Sequence, residues 1–117
     1  MIIAVDFDNT LFKTNFPNIG EPILPVIEFC KARQQGGDII ILWTCRRDDD
    51  LLDATRACQR HGLEFDYVNC NEPNHLAAFK NNDCRKIFAD VYIDDKSITP
   101  QTIQRIMNKN KTNVQEE

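Results

Sequence analysis

The chain has 117 residues, of which 42% are hydrophobic and 27% charged, and its formal net charge is −4 at pH 7. This length suits one globular domain, and the composition excludes a collagen-like or disordered chain. The acidic balance argues against a binder of extended nucleic acid or anionic membranes, because such binding needs clustered Lys and Arg. The longest apolar run, Ile39 to Trp43, is too short to span a membrane. The start of the chain lacks the basic flank of a signal peptide.

Five cysteines occur, at positions 30, 45, 58, 70 and 84. Their odd number, wide spacing and lack of a Cys-x-x-Cys pair argue against a disulfide framework or a structural zinc site. We therefore expect most of them to be small buried side chains, and we expect the protein to be cytoplasmic.

The first part of the chain predicts a strand, a short flap and a helix. Ile2 to Val5 is apolar and β-branched, as expected of a buried strand. The segment from Phe12 to Glu21 leaves room for a small hairpin-like flap. A helix follows from Pro22 or Pro25 to Gln35, because its apolar residues fall at helical spacing and two glycines follow its end.

The middle of the chain predicts a second strand, a second helix and a weaker third strand. Ile39 to Trp43 repeats the pattern of a buried strand. Asp48 to Asp50 can cap a helix that runs to Arg60. The expected inner face of this helix consists of Leu51, Leu52 and Cys58. Phe65 to Val68 is the third apolar run.

The last part predicts a helix, a fourth strand and a final helix. Asn71-Glu72-Pro73 introduces a helical stretch through Phe79, and Val91 to Ile93 is the fourth apolar run. Thr99-Pro100 is typical of a helix start, and the last helix is expected to end at about Asn108. The chain from Lys109 is polar, and we expect it to be frayed.

This alternation of strands and helices predicts a parallel sheet with right-handed crossovers. We expect a Rossmann-like three-layer α/β sandwich. Its sheet should be mainly parallel, with helices on both faces. In such folds ligands bind beyond the carboxyl ends of the strands.

Polar side chains follow three of the four predicted strands. They are Asp6, Asp8 and Thr10 after the first strand, Thr44, Arg46 and Arg47 after the second, and Asp94 and Asp95 after the fourth. Four carboxylates at one edge would repel one another unless a cation joined them. Oxygen ligands without His or paired Cys suit a hard ion such as Mg²⁺.

The segment from Asp6 to Leu11, after an apolar strand, resembles the first motif of the haloacid dehalogenase superfamily. Thr44, Lys86 and the pair Asp94-Asp95 are similar to its second, third and fourth motifs, in the required order. The resemblance spans residues 2 to 95. It implies a sheet in the order 3-2-1-4 and no cap domain. It also implies one catalytic domain over residues 1–110, with residues 111–117 as a polar tail.

The resemblance implies catalytic roles for three residues. Asp6 would be the nucleophile that forms an aspartyl-phosphate. Asp8 would be general acid and then general base. As an acid it would be protonated at neutral pH, which like-charged neighbours would favour. Thr44 and the backbone N–H groups beside it would hold the phosphoryl oxygens.

The resemblance also implies how negative charge is neutralised. Lys86 would contact both the phosphate and Asp6, with Arg85 and Lys96 as alternatives. Mg²⁺ would be bound by the carboxylate of Asp6, the backbone carbonyl of Asp8 and the acid pair after the fourth strand. Asp95 aligns with the metal-binding acid of the family. Asp94 would act through water or orient the lysine.

Further polar residues near the motifs are candidates for substrate binding. Thr10 belongs to the first motif, and Cys45 follows Thr44, although a nucleophilic Cys would need an adjacent base. Arg46 and Arg47 could bind the substrate phosphate or its leaving group, or could pair with the acids at 48–50.

These residues together imply a Mg²⁺-dependent phosphate monoester phosphatase. Asp8 favours ester hydrolysis, because the dehalogenase branch lacks an acid at this position. The short flap predicts an open site, suited to a large phosphorylated substrate or to closure by a second copy of the chain. The alternative is a non-enzymatic phosphate- or Mg²⁺-binding module, either receiver-like or an inactive homologue, that acts through a protein partner.

Overall fold

A computed structural model describes residues 1–83 and 85–116 of the chain, with side chains for residues 1–83 and 85–110. Cys84, one of the five cysteines, lies outside the described residues. The strands are β1 (Ile2–Val5), β2 (Phe12–Asn15), β3 (Asn18–Pro22), β4 (Ile39–Leu42), β5 (Tyr67–Val68) and β6 (Val91–Ile93). The helices are α1 (Leu24–Gln35), α2 (Asp48–Arg60), α3 (Pro73–Ala78) and α4 (Pro100–Glu116).

Four strands form a parallel sheet in the order β5-β4-β1-β6. This is the predicted order 3-2-1-4, and the predicted α/β fold class is confirmed. In the register of the sheet, Ala4 of β1 lies opposite Ile41 of β4 and Tyr92 of β6. The central position of β1 brings its carboxyl end between those of β4 and β6.

The alternation of side chains along β1 divides the core into two layers. Ile3 and Val5 pack with Ile27 of α1 and Cys58 of α2 on one face of the sheet. On the other face, the buried residues are Ile2, Ala4, Ile41, Ile87 and Ala89. Phe88 packs against this second layer, and the His75 ring of α3 stacks on it with centroids 4.0 Å apart. The sheet is therefore flanked by helices on both faces.

The predicted flap is a separate antiparallel hairpin, formed by β2 and β3. Its base is anchored by Phe12, which is buried and stacks on Phe7 with ring centroids 5.3 Å apart. A Cβ on Gly20 would lie 2.8 Å from the carbonyl oxygen of Lys13, so the close approach of the two strands requires glycine there. The hairpin tip contains a cis peptide bond between Phe16 and Pro17.

Three features differ from the prediction: the inner face of α2, the length of the third strand and the capping of α2. The inner face of α2 is formed by Ala54, Ala57 and Cys58, whereas Leu52 is 45% exposed. The third strand is shorter than predicted, because the side chain of Asp66 accepts the Ile40 backbone N–H at 2.7 Å before regular pairing begins. The acids at the start of α2 form no side-chain cap. They occupy its first turn, where they complement the helix dipole.

The predicted end of the last helix at Asn108 is wrong, because α4 continues to Glu116. No Gly or Pro interrupts residues 109–116, and Lys, Gln and Glu are good helix formers. Among the described residues, no helix combines the length and apolarity needed to cross a membrane. Cys30 and Cys58 are buried as expected, Cys70 is half-buried, and Cys45 is exposed.

Candidate active site

Three carboxylates converge where β1 and β6 end. Asp6 follows the central strand, and Asp94 and Asp95 follow its neighbour. One oxygen atom from each of these carboxylates lies within 4.8 Å of the other two. The backbone N–H of Asp6 donates to the carbonyl of Ile93 at 3.0 Å, which joins the two strand ends. We call Asp6, Asp94 and Asp95 the acid triad.

The acid triad carries uncompensated negative charge. Burial, opposed by a hydrogen bond from the Phe7 N–H and reinforced by repulsion from the neighbouring acids, raises the pKa of Asp6 to about 6. Among the described side chains, no Lys, Arg or His forms an ion pair with a triad member. A donor set of carboxylates alone fits a hard cation such as Mg²⁺, which would relieve this repulsion.

A cavity of about 260 Å³ opens beside the triad and is lined by Asp6, Trp43, Thr44, Cys45 and Asp94. The carboxyl ends of three adjacent strands thus border one concave surface. A larger cavity of about 510 Å³ lies between the hairpin and α2, and no triad member lines it. The smaller cavity is therefore the one associated with the predicted chemistry.

The backbone around Thr44 is partly engaged. The Thr44 N–H donates to the side-chain oxygen of Asn69 at 2.8 Å, and the Arg46 N–H donates to the Thr44 hydroxyl oxygen at 3.1 Å. The Cys45 N–H has no partner within the described residues. This amide and the Thr44 hydroxyl proton are the donors that remain available to a phosphoryl oxygen.

Asp8 is held by an arginine instead of joining the acid triad. The Arg46 guanidinium donates from Nη2 to Asp8 Oδ1 at 2.7 Å and from Nε to Asp8 Oδ2 at 2.9 Å. Partial burial raises the pKa of Asp8, but hydrogen bonds from Arg46 and Thr14 and the arginine's charge outweigh it, so the pKa is lowered. In this arrangement the lowered pKa favours the ionised form of Asp8, whereas the general-acid role requires the protonated form.

Arg46 forms its ion pair with a residue that the sequence did not suggest as its partner. Its side chain is 1% exposed, and it pairs with Asp8 rather than with the acids at 48–50. Arg47 is 90% exposed, and its Nε lies 3.9 Å from Asp48 Oδ2. The two neighbouring arginines thus have different environments, because Arg46 points inward beneath the hairpin and Arg47 points outward.

Two further predicted residues do not reach the cavity beside the triad. Lys86 is exposed, lines another cavity of about 360 Å³ with Phe79 and Tyr92, and makes no ion pair within the described residues. Thr10 is 5% exposed, and its hydroxyl has no partner in the part of the chain that the structure describes. Of the alternative cations, Arg85 is exposed, and Lys96 contacts Asp94 through its backbone N–H at 3.4 Å.

Sequence reasoning missed two residues of the site. Asn69 follows β5 and has a φ of 52°, which directs its side chain to the Thr44 amide. Its position after a strand at the same edge was the available signal. Trp43 was expected in the core. It is half-buried, lines the cavity and lies 5.4 Å from the Tyr92 ring.

Fold and site together define an α/β protein with an acidic cavity at the carboxyl edge of a parallel sheet. No family model matches the chain, and no curated protein gives a significant match. A solved structure from Bacteroides thetaiotaomicron, described as a conserved protein, is similar at 37% sequence identity and a TM-score of 0.73. The similarity covers 95% of this chain and 91% of that one. The chain belongs to the same family as that conserved protein.

Proposed function

We propose that the protein is a Mg²⁺-dependent phosphohydrolase of the haloacid dehalogenase type, acting on phosphate monoesters. The observation that carries the proposal is the acid triad beside the 260 Å³ cavity, in which three carboxylates approach within 4.8 Å without a cationic partner among the described side chains. The motif residues of the first, second and fourth strands border this cavity. The arrangement suits a phosphate that is bound together with a cation.

In the proposed reaction Asp6 is the nucleophile. Its Oδ1 accepts a hydrogen bond from the Phe7 N–H at 2.8 Å, which orients the carboxylate. An Asp6 oxygen attacks phosphorus, the P–O bond to the alcohol breaks, and an aspartyl-phosphate forms. The Cys45 N–H and the Thr44 hydroxyl donate hydrogen bonds to the phosphoryl oxygens. Water then cleaves the aspartyl-phosphate and releases inorganic phosphate.

Bound Mg²⁺ would be held by Asp6, Asp94 and Asp95, and it supplies positive charge that reduces the repulsion between nucleophile and phosphate. Asp94 is oriented by the Ser97 hydroxyl, which donates to its Oδ2 at 3.0 Å. Hydrogen bonds therefore orient both of the triad carboxylates that line the cavity, Asp6 and Asp94. We include no role for Lys86 in this mechanism, because it lines a different cavity.

Asp8 is suited to the base half of its role. An ionised carboxylate can accept a proton from the water that attacks the aspartyl-phosphate. To protonate the departing alcohol, Asp8 would first have to take up a proton from water, and Arg46 would have to release one of its two hydrogen bonds to Asp8. The open cavity would admit a large phosphorylated substrate or be closed by a second copy of the chain. The free thiols and odd cysteine count support a cytoplasmic location.

The proposal is tested by hydrolysis of a generic aryl phosphate with Mg²⁺, with EDTA, and by Asp6→Asn. We expect kcat to fall at least about a thousandfold in Asp6→Asn, because the nucleophile is lost. Asp49→Asn is the matched control, since Asp49 is an exposed acid of α2. Hydrolysis that survives both EDTA and Asp6→Asn would exclude the mechanism.

A specific observation favours the alternative of a non-enzymatic Mg²⁺- or phosphate-binding module. Asp8 is held as a carboxylate, and Lys86 is absent from the cavity beside the triad. Such a module would bind Mg²⁺ at the triad without turnover. Mg²⁺ binding measured by calorimetry, together with no hydrolysis across a panel of phosphorylated metabolites, would support the module over the enzyme.

A further inference from the structure

One buried guanidinium contacts three separate parts of the chain. Arg46 makes two hydrogen bonds to Asp8, and its Nη1 lies 3.3 Å from the Pro17 carbonyl oxygen and 3.4 Å from that of Asp50. It also lies between two aromatic rings, with its Cζ 4.9 Å from the centroids of both Phe7 and Phe16. Arg46 therefore connects the turn after β1, the hairpin tip and the first turn of α2.

The hairpin tip depends on this arginine for its contact with the rest of the molecule. Phe16 is 62% exposed, and Pro17 is also exposed. Within the described residues, the ring and hydrogen-bond contacts from these two residues to the body of the protein are those with Arg46. The hairpin base is held separately by the buried Phe12. Displacement of the tip away from Arg46 would therefore break these contacts.

Arg46 has no donor left for a substrate. A guanidinium has five N–H groups, and Arg46 makes five hydrogen bonds to oxygens of Asp8, Pro17 and Asp50. Its side chain is almost fully buried. A guanidinium forms paired hydrogen bonds in a fixed planar geometry, so its position determines where the Asp8 carboxylate lies. The same planar group is covered by the Phe16 ring, which stabilises it by a cation–π contact.

We propose that Arg46 is a positioning residue that couples the hairpin tip to the orientation of Asp8. A closed tip holds the guanidinium against both Asp8 oxygens. Displacement of Phe16 by a bound substrate or by opening of the hairpin loosens that hold. The hairpin thereby controls Asp8, although none of its residues lines the cavity beside the triad. The catalytic consequence rests on the proposed phosphohydrolase function, whereas the coupling itself does not.

Hydrogen exchange of the backbone amides of residues 12–16 and 18–21 in the full chain tests the coupling. We expect Phe16→Ala and Arg46→Met each to accelerate exchange about tenfold or more, because each removes the contact of the tip. In the double variant, exchange should rise no more than about twofold above Arg46→Met, since the link is already broken. Phe29→Ala and Arg56→Met, at exposed helical positions, are matched controls and should leave hairpin exchange unchanged.

Two results would overturn the coupling: unchanged exchange in Phe16→Ala, or effects of the two substitutions that multiply in the double variant. If the Arg46→Met variant fails to fold, the Asp8→Asn variant is measured instead. This substitution weakens the hydrogen bonds that hold the Arg46 guanidinium to Asp8. Faster hairpin exchange in Asp8→Asn supports the coupling, and unchanged exchange contradicts it.

Kinetics with the aryl phosphate test the consequence for Asp8. Phe16→Ala should lower kcat by roughly tenfold and leave KM within about twofold, because a displaced base affects the chemical step more than binding. An increase in KM with unchanged kcat would assign the hairpin to substrate binding and reject the positioning role. If the wild-type protein hydrolyses no phosphate ester, the proposed function fails, and the exchange measurements still decide the coupling.

Discussion

Two groups of carboxylates lie at the same edge of the sheet and have opposite electrostatic environments. Asp6, Asp94 and Asp95 approach one another without a cationic partner among the described side chains, and burial with like-charge repulsion raises the pKa of Asp6 to about 6. Asp8, only two residues from Asp6, is clamped by Arg46, and its pKa is lowered. The difference arises from one buried guanidinium and not from the type of residue.

Because of this difference, the two groups are suited to different roles. The acid triad needs a cation from outside the chain, and is therefore suited to a metal ion. Asp8 already has its cation, so a second one would compete with Arg46. The four acids that look equivalent in the sequence are thus divided into a group of three that can hold a metal ion and a single acid with a positioned carboxylate.

Removal of the clamp should have the largest effect. Arg46→Met leaves Asp8, whose side chain is 27% exposed, without its partner, and breaks the contacts of the hairpin tip. We expect the free energy of unfolding to fall by about 2–4 kcal/mol, measured by urea denaturation with Trp43 fluorescence. Arg56→Met should change it by less than about 0.5 kcal/mol. A similarly small change in Arg46→Met would show that the contacts of Arg46 do not stabilise the fold.

Two isosteric substitutions, made two residues apart, should change the free energy of unfolding in opposite directions in EDTA at neutral pH. Asp8→Asn should lower the free energy of unfolding by about 1–3 kcal/mol, because Arg46 loses a charged partner. Asp6→Asn should raise it by about 1 kcal/mol, after allowance for solvent screening, because repulsion within the triad is relieved. Urea denaturation measures both. Changes of the same sign would contradict the electrostatic comparison.

Magnesium should stabilise the protein through the triad alone. At a Mg²⁺ concentration ten times its Kd, the wild-type free energy of unfolding should rise by about 1.4 kcal/mol. Thermal denaturation should show this rise lost in Asp94→Asn and retained in Asp8→Asn, because the Asp8 carboxylate lies outside the triad. An equal rise in both variants would mean that Mg²⁺ binds elsewhere.

The pH dependence in EDTA should also separate the two acids. The pKa of Asp8 is lowered, so its stabilising effect is present above the unfolded pKa of about 3.9 and is lost as the pH falls through the folded value. The pKa of Asp6 is raised to about 6, so its ionisation destabilises the fold as the pH rises from about 4 to 6. The difference in urea midpoint between wild type and Asp8→Asn should become smaller in acid. The difference between wild type and Asp6→Asn should grow as the pH rises from 4 to 6. Differences that do not change with pH would contradict this assignment.

The local sequence pattern was sufficient to predict much of the fold. The four apolar runs became the four parallel strands in the expected order, and α2 ends at Arg60 as predicted. The inner face of α2 was wrong at Leu52, because small Ala54 and Ala57 allow closer packing on the sheet. The position of Lys86 was also beyond local reasoning, since residues 79–90 contain no helix or strand in the described part of that segment.

The sequence by itself determined that Asp6, Asp94 and Asp95 would meet, because parallel strands bring their carboxyl ends to one edge. Asp6 follows the first apolar run, and the pair Asp94-Asp95 follows the fourth. Only the tertiary structure decided which residue pairs with Asp8. Its partner, Arg46, is 38 residues away and is buried beneath a hairpin tip that no local pattern directs toward it. The acids next to Arg46 in the sequence offered an apparent pairing, but burial beside Phe7 and Phe16 required the guanidinium to pair with Asp8 instead.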